Sequence, residues 1–254
     1  MSMNNFQLLA YLDDLLLPQQ VNDFCPNGLQ IEGKGDVAKI VCAVTASQAL
    51  IDQAIELKAD AIFVHHGFFW KGETANICGM KKNRIAALLN HNINLFAYHL
   101  PLDIHPTLGN NAQLGKLLGA SQVEPLMVNS GPQGIVMQGK FEPALTPTAL
   151  ADKLNTLLGR VPLHENVNSL PINTVAWCTG GGQGYIEAAA QQGIDAFITG
   201  EVSEQTIHIA REMGIHFYSA GHHATERYGA KAIAEYLSGH TSLNAEFIDI
   251  PNPA

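Results

Sequence analysis

Apolar residues in this chain fall into two kinds of run, and their alternation predicts most of its architecture. Short stretches such as "KIVCAV", "DAIFV", "TVAWC" and "DAFIT" are almost continuously aliphatic or aromatic, as strands covered on both faces are. Between them lie segments whose apolar positions recur three and four apart. Ile51, Ala54 and Ile55 mark one such helix; Ile186, Ala189 and Ala190 mark another. The succession of strand, small-residue turn, amphipathic helix, Ala/Gly–Asp corner and strand occurs twice, with 39–67 running parallel to 174–202.

The similarity extends outward. "NINLFAYHLPLD" (92–103) matches "GIHFYSAGHHATE" (214–226) with one extra residue in the second copy. Upstream, "FQLLAYLDDLL" before "NGLQIEG" resembles "PTALADKLNTLLG" before "VPLHENV". Thr146 or Thr148 is placed to cap the later helix, with Pro147 favouring its first turn. The pattern predicts two copies of α–β–β–α–β–α–β joined near 120–145. The expected fold is α/β and internally duplicated, two similar interlinked layered lobes with largely parallel central strands. The first repeat is assigned to 1–126 and the second to 127–254, with the C-terminal segment expected to pack on the first lobe.

Composition narrows the function classes. Of 254 residues, 46% are hydrophobic and 15% charged, an ordinary globular balance, and the formal charge of −9 argues against broad electrostatic binding to nucleic acid. The segment "MSMNNFQLLAYLDDLLLPQQ" lacks a basic n-region and carries Asp13 and Asp14, so it reads as an amphipathic helix and not as a signal peptide. No apolar run approaches the length of a membrane span. A cytoplasmic protein is expected. Four scattered cysteines (Cys25, Cys42, Cys78, Cys178) form no CxxC pair, which disfavours a disulfide framework or a zinc finger.

The unusual polar residues gather at predicted strand ends, where open α/β sheets bind ligands. "AIFV" ends in His65 and His66, adjacent residues that a regular strand would point to opposite faces. Its counterpart "AFIT" ends in Gly200 and Glu201. "HLPLD" supplies His99 and Asp103, and "HHATE" supplies His222 and Glu226, the same His-x-x-x-acid spacing on one face of a helical turn. Singly, such a pair is more often a helix-stabilising contact. Together these donors exceed what one four-coordinate zinc site needs, and a two-metal centre is the leading expectation. Gly180, Gly181 and Gly182 in "CTGGGQG" follow a strand and precede a helix, so their amides are candidates for binding a substrate phosphate. A tight turn explains the same glycines.

The stretches "NGLQIEG", "VHHGFFWKG", "HLPLDIHPTLGNNAQLGKLLG", "DAFITGEVSEQTIH" and "GHHATERYG" resemble the Ngg-one-interacting-factor-three-like family across nearly the whole chain. Bacterial members of that family carry the label "GTP cyclohydrolase I type 2 homologue". The chain looks like the short form, without the domain that longer members insert between the halves. The resemblance implies two divalent metal ions (Zn, Fe, Mn or Mg) in a site held by both lobes, with His65, His66, Asp103, His222 and Glu226 as ligands. It also implies a homohexameric ring, a dimer of trimers.

The expected activity is a dinuclear metal-dependent hydrolase. Its substrate would be a small molecule, a nucleotide or a cyclic or phosphorylated compound, attacked by a metal-bridging hydroxide with His99 or Glu201 carrying the proton. A di-iron oxidoreductase or oxidase and a non-catalytic metal-binding ring scaffold are the competing classes.

Overall fold

The computed structural model describes residues 2–254. The first elements are β1 (Met3–Asn4), α1 (Asn5–Leu16), β2 (Gly28–Ile31) and β3 (Asp36–Val37), followed by β4 (Lys39–Thr45), α2 (Gln48–Glu56), β5 (Ala61–His66), α3 (Gly79–Asn90) and β6 (Asn94–Ala97). Next come α4 (Leu100–Ile104), α5 (Asn110–Leu118), β7 (Ser121–Pro125), β8 (Met137–Leu145), α6 (Pro147–Leu158) and β9 (Leu163–Glu165). The chain ends with β10 (Ile172–Cys178), α7 (Ile186–Gln191), β11 (Ala196–Thr199), α8 (Glu204–Met213), β12 (His216–Ser219), α9 (His222–His240) and β13 (Asn244–Phe247).

These elements form two compact units. One comprises the residues up to Leu102 together with Gly229–Ile250; the other comprises Asp103–Tyr228 and Pro251–Ala254. The units therefore do not part at the 126/127 division expected from the repeat. Residues 103–126 fold with the second unit because Leu114 and Leu118 of α5 share a core with Leu150 and Leu154 of α6, and β7 pairs with β8. In the first unit, β13 lies parallel to β4, from Asn244↔Lys39 to Phe247↔Cys42.

Each unit has a sheet with one repeated theme. In the first the order is β13-β4-β5-β6-β2, with β4, β5 and β6 parallel and β2 antiparallel at the edge. In the second the order is β7-β8-β10-β11-β12-β9, with β10, β11 and β12 parallel and β9 antiparallel at the edge. Side-chain burial explains why these runs become central strands: Ile40 to Ala43, Ala61 to Val64 and Ala196 to Ile198 are sealed from solvent. Leu50, Ile51 and Ala54 of α2 close one face of the first sheet, packing on Val41, Ala43, Ile62 and Val64. Full burial of each such Leu or Ile contributes roughly 1.5–3 kcal/mol. Ser47 caps α2 by accepting from the Leu50 amide, and Thr146, followed by Pro147, caps α6 by accepting from the Ala149 amide.

The Ala/Gly–Asp corner does the same work twice. Asp60 Oδ2 accepts from the amides of Ala38 and Lys39 at 2.7 and 2.9 Å, pinning the start of β4. Asp195 Oδ2 accepts from the amides of Asn173 and Thr174, both at 2.8 Å, pinning the start of β10. Among the described residues, no helix is long and apolar enough to cross a membrane.

Candidate metal centre

In the first unit, β5 ends in the adjacent histidines and β6 runs into His99. His65 is completely buried, with Nδ1 3.2 Å from the Tyr98 carbonyl. His66 lies opposite Thr45 in the strand register, with Nδ1 3.1 Å from Thr45 Oγ1. His99 Nδ1 is 2.7 Å from Asp23 Oδ1. The two adjacent rings do converge despite their strand geometry: their centroids are 4.5 Å apart, and His99 lies 5.0 Å from His65 and 5.8 Å from His66. Each of the three offers a ligand atom within 4.8 Å of the others. An acceptor oxygen at Nδ1, as His65 and His99 have, fixes the tautomer with Nε2 free of a proton, while the Thr45 hydroxyl orients the His66 ring.

Asp23 is a member of this cluster that sequence reasoning missed. It is held by the Phe24 amide at 2.6 Å and by Asn27 Nδ2 and the Leu100 amide, both at 2.9 Å. Asn27 in turn accepts from the His99 amide at 2.7 Å. Burial alone would raise the Asp23 carboxyl, but the hydrogen bond and charge of His99, with Asn27 and the Phe24 amide, hold it below the usual carboxylate range. The only signal in the sequence was the Asp-x-x-x-Asn spacing in "DFCPN", a common turn pattern with no link to a residue 76 positions away.

In the second unit, two carboxylates are nearly sealed from solvent: Asp103 is 4% exposed and Glu226 is 2% exposed. Buried carboxylates require paired charges, hydrogen bonds or a metal. Asp103 Oδ1 accepts from Asn110 Nδ2 at 2.9 Å and from Thr179 Oγ1 at 3.3 Å. The i,i+4 spacing on α9 places His222 Nε2 3.2 Å from Glu226 Oε2, and His222 Nδ1 is 2.7 Å from Glu201 Oε1. Burial would depress His222, yet Glu226 and then Glu201 outweigh it and push the imidazole up to about 9. His222 and His99 are each tethered through Nδ1 to a carboxylate at 2.7 Å.

The geometry changes two expectations. Glu201, taken as a proton carrier, stands behind His222 and orients it. The Gly180–Gly182 loop does not present a row of amides to a phosphate. The Gly180 amide donates to Thr225 Oγ1 and the Gly182 amide to Thr199 Oγ1, both at 3.0 Å, and Gly181 faces the Glu201 carboxylate. A Cβ at Gly180 would overlap Glu226 Oε1 and come within 3.0 Å of His222 Nε2, so the glycine is there to let the backbone pass beside the donors.

Two α/β units, one bearing a three-histidine group and the other two buried carboxylates and a carboxylate-tethered histidine, define a protein with candidate metal-binding sites. The comparisons sharpen this class. The model of the DUF34/NIF3 family (NGG1p interacting factor 3) matches residues 3–253, and the chain belongs to that family. A relative from Vibrio cholerae serotype O1, named "GTP cyclohydrolase 1 type 2 homolog", is 55% identical, with 99% of this chain and 100% of that protein covered. Among solved structures, the protein ybgI, of unknown function, is 52% identical with a TM-score of 0.95, covering 99% of this chain and 100% of that one. TTHA1606 from Thermus thermophilus is 36% identical with a TM-score of 0.89, also covering 99% and 100%.

Proposed function

We propose that the chain is a dinuclear metal-dependent hydrolase acting on a small molecule, a nucleotide or a cyclic or phosphorylated compound. His65, His66, Asp103, His222 and Glu226 are the ligands of two divalent cations drawn from Zn, Fe, Mn or Mg. The observation that carries this reading is the common tethering of the imidazoles. His65, His66 and His222 each have Nδ1 against an oxygen, the arrangement that orients a metal-bound histidine, and two buried carboxylates accompany them. Mixed imidazole and carboxylate donors suit borderline divalent metals. The cyclohydrolase name of the Vibrio relative agrees with a hydrolytic activity on a cyclic or nucleotide substrate.

The bound metals supply a lowered pKa for coordinated water and stabilisation of developing negative charge. The protein groups do the rest. Asp23 holds the His99 ring with Nδ1 protonated, so His99 Nε2 accepts a proton from the attacking water and returns it to the leaving group. Glu201 fixes His222 in the same way. The homohexameric ring belongs to the same reading, as does a working site formed only when all five donors are present.

The test is metal analysis and turnover on purified, metal-loaded protein, against a panel of nucleotides, phosphodiesters and cyclic amides. Hydrolysis that is lost with chelator and restored by metal is expected. His65→Ala and Glu226→Ala should lower metal content while sedimentation still reports the hexamer. Full metal content in both variants would overturn the ligand assignment. An inert wild-type protein would overturn the hydrolase reading for those substrates. Disassembly of the variants would favour metals that serve structure alone.

A further inference from the structure

Beside the three histidines, the first unit carries an exposed Phe24 and a half-buried Trp70 that the proposed chemistry does not use. Trp70 lies edge-on to His99, with centroids 4.9 Å apart and planes at 83°, and 6.0 Å from His66. Phe24 stands 6.5 Å from His99 at 64° and is 60% exposed. Other large apolar residues of the chain are equally exposed, but Phe24 lies next to the polar histidine cluster.

The segments that carry these rings are built with care. Phe69, the residue before Trp70, adopts φ +66°, a conformation rare for a bulky residue and costly to hold. Its ring is retained by Lys81, whose Nζ lies 5.0 Å above the ring centroid, while Phe68 is buried in the core. The sharp left-handed step leaves Trp70 against the histidines. Gln30 then links the two segments: it accepts from the Phe68 amide at 2.6 Å and donates to the carbonyls of Pro26 at 2.7 Å and Phe68 at 3.1 Å. The Lys71 amide donates to the Phe24 carbonyl at 2.6 Å, a second link. Strained backbone over-determined by its surroundings is a mark of working sites.

We infer that Phe24 and Trp70 form a wall that stacks a planar, unsaturated ring of the substrate beside His99, so that the substrate class is a heteroaromatic compound such as a nucleobase or a related bicyclic ring. Phe24 and Trp70 both stand within 6.5 Å of one imidazole, that of His99. Stacking on aromatic side chains is the common way proteins hold bases without reading their edges. The inference deepens the proposed function and rests on its placing the reacting centre beside His99.

The experiment uses guanosine as the probe, with uridine and 5,6-dihydrouridine as a pair that differs in ring planarity. The protein has two tryptophans, and Trp177 is fully buried, so a ligand-dependent change in emission reports Trp70. Binding is measured by calorimetry on metal-free and metal-loaded full-length protein. Guanosine should quench emission, uridine should bind more tightly than dihydrouridine, and Trp70→Ala should weaken guanosine at least tenfold while Trp70→Phe retains most of the affinity. Metal content should be unchanged in both variants. Equal affinity for uridine and dihydrouridine, or wild-type affinity in Trp70→Ala, overturns the wall. So does Trp70 emission that ignores every ring and shifts only with protein concentration, since a second copy would then be covering it. Failure of the metal reading shows separately, as wild-type protein that takes up no metal while the ring result remains readable.

Discussion

Gly180→Ala isolates the link between backbone and donors. Gly180 has φ +65°, and an added Cβ would overlap Glu226 Oε1, with the carboxyl carbon 2.9 Å away where about 3.4 Å is comfortable. The carboxyl carbon must give by about half an ångström and Oε1 by more. The backbone itself would pay about 1–2 kcal/mol for a Cβ in the left-handed region. Gly159 separates the two effects, because its φ is +67° and an added Cβ there meets nothing within 4 Å. Gly159→Ala should therefore lose about 1–2 kcal/mol, with Tm falling roughly 2–4 °C per kcal/mol for a chain of this size, and should bind metal normally. Gly180→Ala should show that loss and, in addition, metal affinity reduced by about 10–100-fold, the scale seen when the support of a metal ligand is disturbed. The assay pairs thermal unfolding of metal-free protein with calorimetric metal titration. If Gly180→Ala binds metal as tightly as Gly159→Ala, Glu226 is not a ligand held in place by this loop, and the reasoning fails.

Other expectations follow from particular contacts. Asp60 is held below the usual carboxylate range: burial would raise it, but Lys34 and the amides of Lys39 and Ala38 outweigh that. A depressed folded pKa gives stability that is complete above the unfolded value, near 3.9, and is lost as pH falls through the folded one. Asp60→Asn should cost about 2 kcal/mol at pH 7 and flatten the acid limb of the stability curve, read from urea midpoints at pH 7 and pH 3; an unchanged limb would refute the assignment. Asp23→Ala should release the His99 tautomer, seen by nitrogen-15 histidine NMR as loss of the Nδ1-protonated form, while the metal content stays that of wild type. Ile51→Ala, at a fully buried position of α2, should cost about 2–5 kcal/mol without altering metal uptake, measured by denaturant unfolding and metal analysis.

Much of this was legible in the sequence because it is written locally. Strand runs, helix periodicity, the Thr146–Pro147 helix start and the i,i+4 spacing of His222 and Glu226 all depend on residues within one turn or one strand. What escaped depends on contacts across tens of residues. Nothing in "DFCPN" announces that Asp23 will meet His99, since the pairing exists only once β2 has been laid beside β6. The glycine loop is ambiguous in sequence for a related reason. Its strand-to-helix setting looks like a phosphate cradle, but whether the amides point outward depends on Thr199 and Thr225, whose hydroxyls accept from Gly182 and Gly180. The compact units part elsewhere than at 126/127 because α5 and β7 pack with α6 and β8, a choice of tertiary partners that periodicity does not encode.

The matched details bear on how the site arose. Alternating helices and strands recur in unrelated proteins, so shared topology alone is weak evidence for duplication. The polar contacts are harder to explain by chance. Asp60 and Asp195 each pin the first amides of the neighbouring parallel strand, and His99 and His222 each give Nδ1 to a carboxylate at 2.7 Å. Yet the carboxylates come from different places: Glu201 follows β11, whereas Asp23 precedes β2. The repeat position of Glu201 in the first unit is His66. If one ancestral unit was copied, the first copy put an imidazole where the second kept a carboxylate, and another carboxylate, Asp23, now tethers the histidine of β6. The held imidazole is what the two units share, with Nδ1 against a carboxylate in each, while the sequence address of that carboxylate is not.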